Sequence, residues 1–123
     1  GGLSLPTWNS ARPIAFAATM LRDPRLTTPE EMPGEVVRLI DAMRFLQQLA
    51  AGPAVAAFSG RPELVRGGIR AAVWDPHQPP EATALAMLAT AELLRSLDTV
   101  ERASRSPQTP AGSGPPGTGA ERP

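Results

Sequence analysis

Apolar and polar positions recur with helical spacing along most of the chain. Ile14, Ala17, Ala18 and Leu21 lie three and four apart, Ser10 stands where a cap is needed, Pro13 suits an opening turn and Asp23-Pro24 stops the run. This predicts a short amphipathic helix. Val36, Leu39, Ile40, Met43, Leu46 and Ala50 carry the stripe of a longer second helix that Gly52-Pro53 ends. Thr28 and Glu31 have capping-box spacing, but Pro33-Gly34 is expected to break that turn, so the long helix is placed from Pro33 or Gly34. Pro53 to Phe58 has room for one more turn. Pro62 opens a helix expected to reach Trp74, weakened at Gly67-Gly68, where each glycine costs about 1 kcal/mol relative to alanine. After the turn Asp75-Pro76-His77-Gln78-Pro79, Pro80-Glu81 starts the longest helix, with Leu85, Leu88, Ala89, Leu93, Leu97 and Val100. No segment alternates as a half-buried strand does. The expected class is all-α.

The organisation follows from where large apolar residues stop. Residues 1–9 form an N-terminal extension and 10–102 a helical domain. Residues 103–123, rich in proline and glycine and without a large apolar side chain, are expected to be a disordered tail. In that tail Ser106-Pro107 and Thr109-Pro110 fit the minimal pattern of proline-directed phosphorylation. The opening Gly1-Gly2, without an initiator methionine, leads us to expect a fragment of a larger protein.

Composition removes several kinds of chemistry. The 123 residues include no cysteine and one histidine, His77, so no disulfide framework, thiolate nucleophile, cysteine zinc site or two-histidine metal motif can be completed within the chain. No metal and no cofactor are expected. Twelve arginines balance 12 acidic residues, and there is no lysine. The arginines are interleaved with acids, which argues against a surface that tracks nucleic-acid phosphates. No apolar run approaches the roughly 18–20 residues of a membrane span, and no secretory signal is visible. An intracellular protein, cytoplasmic or nuclear, without membrane contact is expected.

A second pattern lies across the helices. Ser10-Ala11-Arg12-Pro13 returns as Ser59-Gly60-Arg61-Pro62, Asp23-Pro24 as Asp75-Pro76 and Pro29-Glu30 as Pro80-Glu81, each roughly 50 residues further on. The halves 10–52 and 59–102 would each hold a shorter helix, an Asp-Pro turn and a long helix. In this order, and in the segments from Pro33 to Ala50 and from Pro80 to Leu94, the chain resembles the armadillo and HEAT repeat families. The resemblance implies two helix pairs, stacked as a solenoid piece or closed as a compact bundle, with an inner surface that binds protein. Armadillo proteins that hold extended peptides carry asparagines on that surface. Here the only asparagine is Asn9, outside both halves, so backbone recognition by that means is not expected.

Asp41, Arg44 and Gln48 share a polar face of the long central helix, and Glu92, Arg95 and Thr99 a comparable face of the last one. Asp41, Arg44, Gln48, Glu92 and Arg95 are therefore the candidate partner-binding residues, against the plainer expectation of solvated helix faces. Trp74 is expected to plug the core, while Trp8, just ahead of the first helix, is open between stapling its start and anchoring a partner. His77 is expected in an exposed loop, and Glu30 and Glu31 to complement a helix dipole rather than form an acid–base pair. The residues around Ser96 resemble the prosthetic-group segment of acyl carrier proteins. Arg95 stands where that family has aspartate, and Ser96 lies inside a helix, so attachment there is set aside. The expected function is a noncatalytic protein-interaction or scaffold module, its partner another protein or a second copy of the chain. The alternatives are a helical fragment of an enzyme or carrier, and an arginine-using nucleic-acid binder.

Overall fold

The computed structural model describes residues 7–106 and 117. Five α-helices follow a 3-10 turn at Trp8–Ser10: α1 Ala11–Leu21, α2 Met32–Leu49, α3 Pro53–Ala57, α4 Pro62–Val65 and α5 Pro80–Arg105. The all-α class stands among the described residues, where the only β contacts are two isolated bridges. Pro107 and the Thr109-Pro110 pair lie outside the described residues, as does most of the expected tail.

α1 begins at Ala11, directly after Ser10 as the sequence suggests, but a 3-10 turn precedes it. Thr7 accepts the Asn9 N–H at 3.4 Å and opens the 3-10 turn, so Ser10 already has helical dihedrals and makes no side-chain cap. Trp8 packs against the core as a staple, and its N–H donates to Ala71 O at 3.1 Å. Asp23 then stops the helix: its carbonyl accepts the Leu26 and Thr27 N–H groups and its carboxylate the Arg25 N–H at 2.9 Å. The capping box forms reciprocally before α2, with Thr28 N donating to Glu31 Oε2 at 3.1 Å and Glu31 N to Thr28 Oγ1 at 3.4 Å. Pro33 does not break it. It falls in the first turn of α2, where its missing N–H has no intrahelical partner to lose.

α1 and α2 run antiparallel: Met20 and Leu21 at the end of α1 border Glu31 and Glu35 at the start of α2, while Ser10, Pro13 and Ile14 share a groove with Leu39, Ala42 and Phe45 further along it. α1 and α5 run parallel: Arg12 and Phe16 border Leu85 and Leu88, and Arg22 reaches Glu92 and Ser96. The core fills the angle between the three helices with Ala11, Ile14, Ala18 and Leu21 of α1, Leu39, Leu46 and Leu49 of α2, and Ala82, Ala86, Ala89 and Leu93 of α5. Alanines on the facing sides of α1 and α5 let these two backbones approach closely.

α2 returns the chain to the end where α1 began, and residues 50–79 connect it there to the start of α5. Here the helix expected from Pro62 to Trp74 ends at Val65. Gly67 adopts φ 85°, the left-handed region open to glycine, and reverses the chain. Ile69 then pairs antiparallel with Ala50, with Ala51 N donating to Gly68 O at 2.8 Å and Arg70 N to Leu49 O at 2.9 Å. A side chain on Gly68 would meet Gln78 Oε1 at 2.2 Å, so the glycine makes room for the Gln78 amide that donates to Val65 O. Arg70 closes the end of α2, its guanidinium donating to Gln48 O at 2.5 Å and Val73 O at 3.0 Å. Trp74 does not plug the core. The tight Ala72–Asp75 turn buries Ala72 and leaves Trp74 59% exposed. His77 is exposed as expected.

α5 has Glu81 in its first turn and Arg102 and Arg105 in its last, matching the helix dipole. The pairs Asp98–Arg102, at 2.7 Å, and Glu101–Arg105 carry it past the expected boundary at residue 102.

Candidate interaction surface

The five sequence-derived candidates divide. Asp41, Arg44 and Gln48 are exposed on α2, with Arg44 paired to Asp41 at 2.7 Å. Arg95 is exposed on α5 and pairs with Glu92 at 2.8 Å. Among the described residues no ion pair or hydrogen bond joins the α2 set to the α5 set.

Glu92 differs from the others because it turns toward α1. Its side chain is 13% exposed, and Oε2 accepts from Arg22 Nη2 at 2.5 Å and from Thr19 Oγ1 at 3.5 Å. Arg22 Nη1 also donates to Glu92 O at 3.0 Å and Ser96 Oγ at 3.3 Å. The fully buried Ser96 hydroxyl lies 2.5 Å from Ala18 O and 2.9 Å from Glu92 O, and shares its one proton between them. Arg22 and Ser96 thus tie the carboxyl end of α1 to α5. The Arg22 guanidinium holds the Glu92 carboxyl below its ordinary value, against the opposing effect of burial and with help from the Arg95 charge and the Thr19 hydroxyl. This polar cluster satisfies itself, and among the described residues no buried side-chain polar atom lacks a partner. Ser96 is inaccessible to any attachment chemistry.

Open apolar surface remains. A shallow groove of about 370 Å³ between α1 and α2 is lined by Pro13, Ile14, Ala17, Leu39, Ala42 and Phe45. Phe16 and Leu88 stand exposed along the seam between α1 and α5. On the far side of α5, Met87, Ala91 and Leu94 border Ile69 and Gly67 across a groove of about 360 Å³. Sequence reasoning assigned Leu88 to the buried stripe of α5 and passed over Met87 and Leu94. The signal was present: from Ala82 to Leu94 the helix is apolar on nearly every side, whereas a helix with one buried face needs only a stripe.

Among the described residues no group of histidine, aspartate or glutamate is arranged to hold a metal ion, and no helix is long and apolar enough to cross a membrane. No family model matches the chain, and neither a curated protein nor a solved structure matches it.

Proposed function

We propose that this chain is a noncatalytic helical protein-interaction module. The observation that carries the reading is the outer side of α5, where Met87 and Leu94 are exposed opposite the buried face of the helix and Leu88 is exposed at its seam with α1. Water-facing positions of a free helix are ordinarily polar, yet between Ala84 and Leu94 the one exposed polar residue of α5 is Thr90. The polar groups that converge in the fold are engaged in holding α1 to α5, which favours a structural role for them over a chemical one. Asp41, Arg44 and Gln48 offer a separate charged face on α2, and Arg95 borders the apolar one.

The test is Leu88→Glu, with circular dichroism as the control for folding. The expected result is an unchanged helical spectrum together with lost protein association, read by sedimentation of the chain and by affinity capture from its source cells. Identical behaviour of parent and variant in both measurements overturns the reading.

A further inference from the structure

The exposed side of α5 has an internal order that points to its partner. Ala84, Met87, Ala91 and Leu94 follow one another three and four residues apart, which keeps them in line on a helix of 3.6 residues per turn. All four are exposed, while Ala82, Ala86, Ala89 and Leu93 on the opposite side are buried. Small and large residues alternate along the exposed line.

We propose that α5 pairs antiparallel with α5 of a second copy of this chain, about a two-fold axis level with the gap between Met87 and Ala91. The inference rests on the interaction-module reading and names its partner. In this register Ala84 faces the partner's Leu94 and Met87 faces the partner's Ala91, so each layer sets a large side chain against a small one. A parallel pair would set alanine on alanine and leave gaps between layers of facing large residues.

Charge selects the same arrangement. Glu81 and Arg95 occupy flanking positions two heptads apart on the same edge of the line. The antiparallel pair brings Glu81 beside the partner's Arg95 and, by symmetry, Arg95 beside the partner's Glu81. Glu81 makes no ion pair among the described residues, and Arg95 has a side chain 70% exposed. A parallel pair would lay this edge against the partner's opposite edge, where Thr83 and Thr90 stand, and form neither ion pair. Beyond Leu94 the outer face turns to Arg95, Asp98 and Arg102, which bounds the patch.

The area is also sufficient. Met87 is 68% exposed, Leu88 48%, Leu94 61% and the adjoining Phe16 67%. At about 200 Å² for a large apolar residue these four present roughly 400–500 Å² per chain, and two copies bring the total to about 1,000 Å² before the alanines and charged rims are added. That reaches the lower range of specific interfaces, as expected for a dimer of modest affinity.

Sedimentation equilibrium of the full chain, at concentrations on the order of 100 μM, is expected to give the dimer mass. Ala91→Glu, at an exposed position, is expected to give the monomer with an unchanged helical spectrum. Glu81→Arg and Arg95→Glu should each weaken self-association about tenfold, because each places like charges together at both symmetry-related contacts. Mixing the two variants should restore dimers, since a mixed pair has opposite charges at both contacts. The chain has no cysteine, so single substitutions report orientation: under copper–phenanthroline oxidation Leu88→Cys, near the axis, should cross-link and Leu94→Cys should not. A monomeric parent chain, a dimer indifferent to Ala91→Glu, no recovery on mixing, or equal cross-linking at 88 and 94 each overturns the proposal. If the parent is monomeric while Leu88→Glu still loses a captured protein, the antiparallel dimer falls and the interaction-module reading stands.

Discussion

The Arg22 guanidinium, at the carboxyl end of α1, lies 2.5 Å from the Glu92 carboxylate of α5, and the same guanidinium reaches the buried Ser96 hydroxyl. A cation at a helix carboxyl terminus also complements the dipole of α1. The contact joins residues 70 positions apart in sequence and fixes how far α1 and α5 slide along each other.

Stability should therefore depend on Glu92 ionisation in a definite direction. Its folded value lies below the ordinary 4.5, so the folded state holds this proton less tightly than the unfolded chain does. The contribution is complete above the ordinary value and is lost as pH falls through the folded value. Glu92→Gln is expected to lower Tm at neutral pH and to approach the parent Tm in acid. A gap between the two that stays constant across the acid range would contradict this assignment.

Ser96→Ala removes a buried hydroxyl that serves Ala18 O, Glu92 O and Arg22. The expected cost is about 1–2 kcal/mol in urea unfolding, with little change in the denaturant slope. An unchanged midpoint would show that water or a neighbouring donor replaces the hydroxyl.

The glycines separate by environment. Gly34 lies in the first turn of α2 with nothing near its missing side chain, so Gly34→Ala should stabilise by about 0.5–1 kcal/mol. Gly67, at φ 85°, should lose about 1–2 kcal/mol on the same substitution. Gly68→Ala displaces the Gln78 amide, and faster hydrogen exchange in the 65–70 segment is the expected sign.

The two tryptophans should report oppositely. Trp8→Ala uncovers core and is expected to cost about 2 kcal/mol, whereas Trp74→Ala should stay within about 0.5 kcal/mol. In single-tryptophan variants, acrylamide should quench Trp74 more strongly than Trp8.

The helix starts and stops were legible because they rest on neighbouring residues: the Thr28–Glu31 box, Gly52-Pro53 and Pro80-Glu81 need only local chain geometry. The expected helix from Pro62 to Trp74 did not form beyond Val65. Gly67-Gly68 weakens it locally, and the pairing of Ile69 with Ala50 and of Gln78 with Val65, invisible in the local pattern, provides the alternative. The candidate charged faces were readable as faces, but periodicity cannot say which neighbour a face meets. Glu92 therefore looked like a solvated residue until α1 brought Arg22 to it.

By itself the sequence determined that this chain is built of helices, where most of them begin and end, and that no thiol or paired-histidine chemistry is available within it. These follow from spacing, capping and composition, which act over a few residues. The parallel packing of α1 on α5, the commitment of Glu92 to Arg22, the outward position of Trp74 and the apolar line left uncovered on α5 were decided only in the tertiary structure. A helix that is apolar nearly all round offers several faces to a core, and competition among whole packings selects the one that is buried.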